Sequence, residues 1–246
     1  GNYYLRARYY APSYGRFTQI DPIRDGTNWY VYCDNDPVNR VDPTGLIPWE
    51  QAADIIRRNA AGIKHAGAYY HVNPAIIAGC IYTELYHNVD WVDSLTDVPA
   101  WFADTSIGIG QVKISTAKKV EDAGYIAKTT YKRTDIYNGY IRVNIYSTPG
   151  YGNGEAVADS REQAIAIRLT SESENVNYVA AYLAYIQDIW RGAYPEIDGR
   201  SAILGTLYNV GERGSDNKGP HSNPRPNPFG EWVKGEYDWM RDLLGL

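Results

Sequence analysis

The sequence contains little that would support metal binding, disulfide bonding or membrane insertion. Its 246 residues include two cysteines, Cys33 and Cys80, which lie far apart and are predicted to be thiols rather than a disulfide. The four histidines show no metal-ligand spacing, so no metal and no other cofactor is expected. No apolar run approaches membrane-spanning length, and the first residues do not resemble a signal peptide. We therefore expect no membrane insertion and no export signal within this sequence.

Charge and aromatic content narrow the class of partner. The net charge is −5, which argues against a nucleic-acid partner because such a partner would require a basic surface. Phenylalanine is scarce, with three residues against 23 tyrosines and seven tryptophans. Aromatic side chains with a polar end suit polar, extended substrates. The length is sufficient for one full domain with a substantial core plus a fragment.

Residues 1–46 differ in composition from the rest of the chain. They are rich in Tyr, Arg, Asp, Asn and Pro, and their short β-prone runs are separated by turn signals. Their basic and acidic residues balance, so the net charge of −5 belongs to residues 47–246. We predict a short β-rich segment over residues 1–46 and a separate domain over residues 47–246.

The first segment resembles the end of the core of Rhs (YD-repeat) polymorphic toxins. The resemblance covers the run YYLRARYY at residues 3–10, Asp21-Pro22, and the run VDPTGL that ends at Leu46. It implies a toxin domain enclosed by the Rhs shell of the parent chain, and a cognate immunity protein. In that family two Asp-Pro motifs form an aspartyl protease, which implies catalysis by Asp21 and Asp42 and a cut after Leu46.

The residues after Ile47 show helical periodicity. Asn73 and Pro74 are a favourable cap and first residue for a helix whose apolar face also includes Glu84. Burying a carboxylate is costly, and burial raises the pKa of a carboxyl group towards that of a general acid near neutral pH. The spacing alone is also compatible with a rim position for Glu84 or with an ion pair to an arginine.

Cap and turn signals predict the remaining elements. Ser115 is predicted to cap a helix that runs to about residue 123, and Asn138-Gly139 predicts the turn of a β-hairpin. Ser160 and Gln163 have the spacing of a capping box. Further helices are predicted over residues 174–190, 201–208 and 231–244. The expected fold class is mainly α with a small β-hairpin.

Four separate runs of the second segment resemble, in the correct order, motifs of lysozyme-like enzymes. These runs are IAGCIYTE at residues 77–84, SIGIGQV at 106–112, the Asn175 helix, and LYNVG at 207–211. The resemblance, to goose-type lysozymes and lytic transglycosylases, implies a lysozyme-like fold and cleavage of the glycan strand of peptidoglycan at the target cell wall. Hydrolysis by a muramidase and lytic transglycosylation remain open alternatives.

The resemblance also implies roles for individual residues. Glu84 would protonate the leaving oxygen, and hydrolysis would require a second carboxylate, for which Asp104 is the first choice and Asp97 the second. The family pattern is altered at Leu85, where a serine is usual, and at Lys113, where goose-type lysozymes have an aspartate. The expected substrate-binding residues are Gly108, Gly110, Gln111, Tyr208, Asn209, Tyr82 and Trp101.

Two other functions are compatible with the sequence. The helical domain could be a peptidoglycan-binding module on a catalytically degenerate lysozyme fold. It could also be a toxin that acts on a target inside the cell, as many Rhs toxins do.

Overall fold

The computed structural model describes residues 2–5, 8–19, 28, 30–35, 49–86, 104, 106–137, 140–146 and 160–246. These residues contain eight α-helices and three small antiparallel sheets, which confirms the mainly α fold class. The helices are α1 (Trp49–Tyr70), α2 (Pro74–Tyr86), α3 (Ile114–Asp122), α4 (Arg161–Leu169), α5 (Glu172–Arg191), α6 (Ser201–Val210), α7 (Pro228–Gly235) and α8 (Tyr237–Leu244). Helix content does not identify a lysozyme-like arrangement, which stays a prediction.

The strands form three separate sheets. Strands β1 (Tyr3–Leu5), β2 (Arg8–Ala11) and β3 (Arg16–Phe17) form one sheet in that order. Strands β4 (Ser106–Ile107) and β5 (Val112–Lys113) enclose a tight turn. Strands β6 (Tyr131–Tyr137) and β7 (Tyr140–Tyr146) pair antiparallel along their whole length. The predicted hairpin is therefore confirmed, and its Asn138-Gly139 turn lies outside the described residues.

Helix α2 is the central helix of the helical unit. Residues 75–85 are all buried, and the helix packs against α1, α5, α6, α7 and α8. A helix that is apolar around its whole circumference must be surrounded by other elements to be stable in water. The spacing of apolar residues predicts a single apolar face, whereas the structure buries α2 on every side.

Two of the predicted helix caps are confirmed. The Asn73 side chain accepts a hydrogen bond from the Ala75 amide at 2.9 Å, and the Ser160 hydroxyl accepts one from the Gln163 amide at 3.2 Å. The predicted cap at Ser115 is wrong, because α3 begins one residue earlier, at Ile114. The acceptor at this helix start is the carboxylate of Asp104, which comes from the preceding loop.

The C-terminal part of the chain forms two helices where one was predicted. Asn227 caps α7 by accepting from the amide of Gly230 at 2.9 Å, and Pro228 occupies the first turn. Helix α7 packs mainly on α6, whereas α8 packs on α1 and α2. Different packing partners explain the break at Glu236 between the two helices.

None of the helices among the described residues is long and apolar enough to cross a membrane.

Candidate functional site

A cleft of about 450 Å³ lies at the C-terminal end of α2. Glu84 reaches it from α2, and the other walls come from the β4–β5 turn, α3, α5, and the end of α6. Glu84 itself is 4% exposed, so this carboxyl is buried but borders the open space. The described lining residues are Glu84, Ser106, Gln111, Val112, Lys113, Thr116, Lys119, Tyr182, Tyr208, Asn209, Val210, Gly211 and Glu212.

One buried side-chain amide, that of Asn175, holds the glycine turn between β4 and β5. Asn175 of α5 is fully buried, and its Oδ1 accepts from the Gly110 amide at 2.7 Å. Its Nδ2 donates to the carbonyl of Ile107 at 2.8 Å and to that of Leu169 at 3.1 Å. These three hydrogen bonds from Asn175 therefore fix the position of the turn against α5.

The two glycines of this turn are required by packing against α5. Gly108 has φ +77°, and a Cβ atom there would lie 2.1 Å from Nδ2 of Asn175. A Cβ atom on Gly110 would lie 2.3 Å from Cγ2 of Val179. Neither glycine is among the described lining residues, and both lie against α5. Their expected role in substrate binding stays a prediction.

Gln111 closes the turn and lines the cleft. Its φ is +50°, and both its backbone amide and its side-chain Nε2 donate to the carbonyl of Gly108, at 3.0 and 2.9 Å. The side chain that was expected to bind substrate is thus also part of the turn.

Tyr208 joins α6 to the same turn. Its hydroxyl donates to the Gly110 carbonyl, and its ring centroid lies 5.8 Å from that of Tyr182. Burial, together with the nearby carboxyl of Glu84, raises the pKa of Tyr208 well above its ordinary value. Its phenol is therefore a structural donor at the wall of the cleft. The next residue, Asn209, is exposed and accepts from Asn227 at 2.9 Å.

Two other predicted site residues, Asp104 and Tyr82, have structural contacts away from the cleft. Asp104 is exposed, and its two carboxylate oxygens accept from the amide and the hydroxyl of Ser115, each at 2.7 Å. Tyr82 is buried and packs edge-on against Trp239, with ring centroids 5.1 Å apart. Neither is among the described lining residues of the cleft. Five predicted residues lie outside the described residues: Asp97, Trp101, Asp21, Asp42 and Leu46.

A cluster of charged and polar side chains that also lines the cleft was not predicted from the sequence. Lys119 Nζ of α3 lies 2.6 Å from Oε1 of Glu212. Tyr182 of α5 lines the same cleft, and burial together with the Glu212 carboxylate raises the pKa of its phenol. Partial burial raises the pKa of Glu212, but the hydrogen bonds to this carboxyl, that from Lys119 first among them, and the charge of Lys119 together lower the pKa below its ordinary value. The two partners are 93 residues apart, so no motif could have revealed the pair.

Across the described ranges, no three His, Cys, Asp or Glu side chains cluster in a way that could hold a metal ion.

Comparison with known proteins gives short matches. The chain matches none of the protein families with which it was compared. Salivary gland surface protein 1 of Aedes aegypti is 45% identical over 47 residues, which are 19% of this chain and 1% of that protein. Toxin protein Tse5 of Pseudomonas aeruginosa is 49% identical over 49 residues, 19% of this chain and 4% of Tse5. The tRNA nuclease WapA of Bacillus subtilis is 47% identical over 55 residues, 20% of this chain and 2% of WapA.

These matches concern a short segment. The chain spans between 1% and 4% of the length of these three proteins. Helices α1 to α8 extend from Trp49 to Leu244, which is far longer than any of the three matches. Most of the helical unit therefore has no counterpart in the matched stretches.

The comparisons correct the predicted activity. Where the name of a relative states an activity, that activity is a tRNA nuclease. This finding contradicts the prediction of a muramidase or lytic transglycosylase that cleaves peptidoglycan at the cell wall. It also conflicts with the expectation, drawn from the net charge, that nucleic acid is not a partner. Of the two alternatives, a toxin that acts inside the target cell agrees better with these names.

Proposed function

We propose that this chain is the C-terminal part of a polymorphic toxin, and that its helical unit cleaves RNA inside the target cell. The similarity to a named toxin and to named tRNA nucleases supports this choice of target. The observation on which the proposal depends is the cleft at the end of α2. There the buried carboxyl of Glu84 borders the same space as Lys113 and Lys119. Such a toxin requires a cognate immunity protein in the cell that produces it.

These groups suit the cleavage of an RNA phosphodiester. In this chemistry the 2′-hydroxyl of one nucleotide attacks the adjacent phosphorus, and the bond to the 5′-oxygen of the next nucleotide breaks. A carboxyl group positioned in the cleft can transfer the proton that this step requires. Lysine ammonium groups stabilise the negative charge on the phosphate oxygens. We assign proton transfer to Glu84 and phosphate binding to Lys113 and Lys119.

The acidic net charge constrains how RNA would bind. Because the net charge of the chain is −5, the attraction between the protein and RNA must come from local contacts at the cleft. The overall electrostatic field of the chain would repel RNA. If Lys113 and Lys119 provide two phosphate contacts, a plot of log affinity against log salt concentration should have a slope of about −1.4 for single-stranded RNA. Fluorescence anisotropy with a non-cleavable 2′-deoxy oligonucleotide measures this slope. A slope steeper than about −4, which corresponds to six contacts, would place the binding surface elsewhere.

Replacement of Glu84 by glutamine tests the proposal directly. We expect Glu84→Gln to reduce the rate of RNA cleavage by at least about 100-fold, because the amide cannot transfer the proton that the carboxyl supplies. The measurement is the rate at which the purified chain converts total tRNA to fragments on a denaturing gel. Glu231→Gln is the matched control, since that carboxylate is exposed on α7 and lies outside the described cleft lining.

The proposal requires three results together. Wild type and Glu231→Gln cleave RNA at the same rate, Glu84→Gln does not, and all three unfold at the same temperature. Equal cleavage by Glu84→Gln would show that the RNA is cut at another site or by a contaminant.

A further inference from the structure

We infer that Glu212 is a second catalytic carboxylate of this cleft, held by Lys119 at its side chain and by Trp190 at its backbone so that it can act as the base opposite Glu84. The inference rests on the proposed cleavage of RNA. It replaces the expectation that the second carboxylate comes from Asp104 or Asp97, both of which precede the glycine turn.

Glu212 is fixed by contacts from two helices. It lies just after α6, and Lys119 of α3 approaches its carboxylate to 2.6 Å. Its backbone carbonyl accepts from Nε1 of Trp190 of α5 at 2.8 Å. An isolated surface ion pair contributes little. A carboxylate that is paired with a lysine and has its backbone anchored by a second residue has a defined orientation.

The second partner of this cluster is itself constrained. The ring of Tyr182 is buried and stacks on that of Tyr185, with centroids 6.2 Å apart. Lys119 Nζ lies 6.0 Å from the centroid of the Tyr185 ring. Among the described residues, the charged and titratable groups near Glu212 are thus Lys119 and Tyr182, with Tyr185 next to both. Burial and the carboxylate raise the pKa of Tyr182, so its phenol stays a donor at physiological pH.

The two carboxyl groups of the cleft lie in contrasting environments. Glu84 is 4% exposed at the end of the central helix, whereas the Glu212 side chain is 31% exposed and paired with a lysine. Burial disfavours a charged carboxyl, and a lysine partner favours one. A pair of carboxyl groups whose surroundings differ in this way is the usual arrangement for dividing acid and base roles.

The division of roles gives a balanced reaction. The ionised Glu212 accepts the proton of the 2′-hydroxyl while that oxygen forms a bond to phosphorus. The bond between phosphorus and the 5′-oxygen breaks, and Glu84 donates its proton to the leaving oxygen. The products are a 2′,3′-cyclic phosphate and a 5′-hydroxyl, with no oxidant, reductant or water consumed. Proton exchange with solvent restores both carboxyl groups.

The geometry of Asp104 argues against it as the base. Both of its oxygens are used by Ser115 at the start of α3, and it is not among the described residues that line the cleft. Its role is to cap the helix that positions Lys119.

The test compares variants of the chain in growing bacteria and in vitro. Wild type, Glu84→Gln, Glu212→Gln, Lys119→Met and the control Glu231→Gln are induced in the cytoplasm, and growth and RNA integrity are followed. We expect Glu212→Gln to lower both the rate of RNA cleavage and the toxicity by at least about 100-fold. Circular dichroism and thermal unfolding of each purified variant establish that it is folded.

The dependence of the rate on pH separates a base from a structural residue. A base must be ionised, and Lys119 helps to hold the pKa of Glu212 below its ordinary value, so the wild-type rate should fall only on the acidic side of the ordinary pKa of a glutamic acid. In Lys119→Met the effect of partial burial is no longer opposed by the lysine, and the fall in rate should move to higher pH. A purely structural pair would lower the rate of this variant without moving the profile.

The possible outcomes distinguish the role of Glu212 from the proposed cleavage of RNA. Wild-type activity in Glu212→Gln, or a pH profile unchanged in Lys119→Met, overturns the role of Glu212. If Glu212→Gln does not fold, the profile of Lys119→Met decides alone. Growth arrest with intact RNA, abolished in both glutamine variants, rejects RNA as substrate and supports Glu212 as catalytic. A wild-type chain that neither arrests growth nor cleaves RNA overturns both.

Discussion

Replacing Asn175 by alanine is expected to lower the free energy of unfolding by about 3 kcal/mol or more, and to abolish activity. The alanine would leave the Gly110 amide and the carbonyls of Ile107 and Leu169 without the partner that each now has. A buried backbone group left without a hydrogen bond costs about 1–3 kcal/mol. Chemical denaturation followed by circular dichroism measures the change.

A matched asparagine separates the role of the buried amide from any general effect of the substitution. Asn223 is exposed, and Asn223→Ala should change the free energy of unfolding by less than about 0.5 kcal/mol. If Asn175→Ala is as stable as Asn223→Ala, the Asn175 amide does not hold the glycine turn. Other contacts would then keep the turn in place at the cleft.

Replacing Glu121 by alanine is expected to destabilise the chain by about 3–5 kcal/mol, because one partner of a buried ionic network would be removed. The Glu121 side chain is fully buried, and it accepts from Arg161 Nη2 at 2.7 Å and from the Tyr178 hydroxyl at 2.5 Å. Arg168, 11% exposed, lies 3.6 Å from the same carboxylate. The variant would leave two arginines near the core without this carboxylate. Thermal and denaturant unfolding measure the effect.

The adjacent residue provides the control for this network. Asp122 also pairs with Arg161, at 2.9 Å, but its side chain is 49% exposed. Asp122→Ala should therefore have a much smaller effect, since solvent screens an exposed pair. Equal destabilisation by the two variants would mean that burial of the Glu121 carboxylate is not what makes the network important.

Local signals predicted much of the fold. The caps at Asn73 and Ser160 were predictable because each depends on a side chain within three residues of the amide it binds. The complete burial of α2 was not predictable, because it results from packing against five helices, four of which are distant in sequence. The cap of α3 was assigned to Ser115 for the same reason, since the true acceptor is Asp104, 11 residues earlier.

The candidate site was only partly predictable. Glu84 was chosen from its place on an apolar helix together with the resemblance to lysozyme-like motifs, and it does border the cleft. Glu212 and Lys119 were missed because their pairing depends on how α3 packs beside the end of α6. The Asp104 carboxylate was chosen from its proximity to the glycine turn in sequence, whereas the structure uses it at a helix start.

The comparisons, rather than the geometry, overturn the predicted glycosidase activity. The glycine turn and Tyr208, which suggested a glycosidase, are held together by hydrogen bonds that build the fold: Tyr208 donates to Gly110, and Asn175 holds the turn. Motifs of this kind indicate how helices pack. Chemistry depends on the groups that border the cleft, and one arrangement of helices can support several reactions.

The most direct test of the central claim is the state of RNA in cells that briefly express the wild-type chain or Glu84→Gln. We predict tRNA fragments with 2′,3′-cyclic phosphate ends in the first case and intact tRNA in the second, with equal amounts of folded protein. Growth arrest by the wild-type chain with all RNA intact, or equal fragmentation by both proteins, would contradict the claim that Glu84 cleaves RNA.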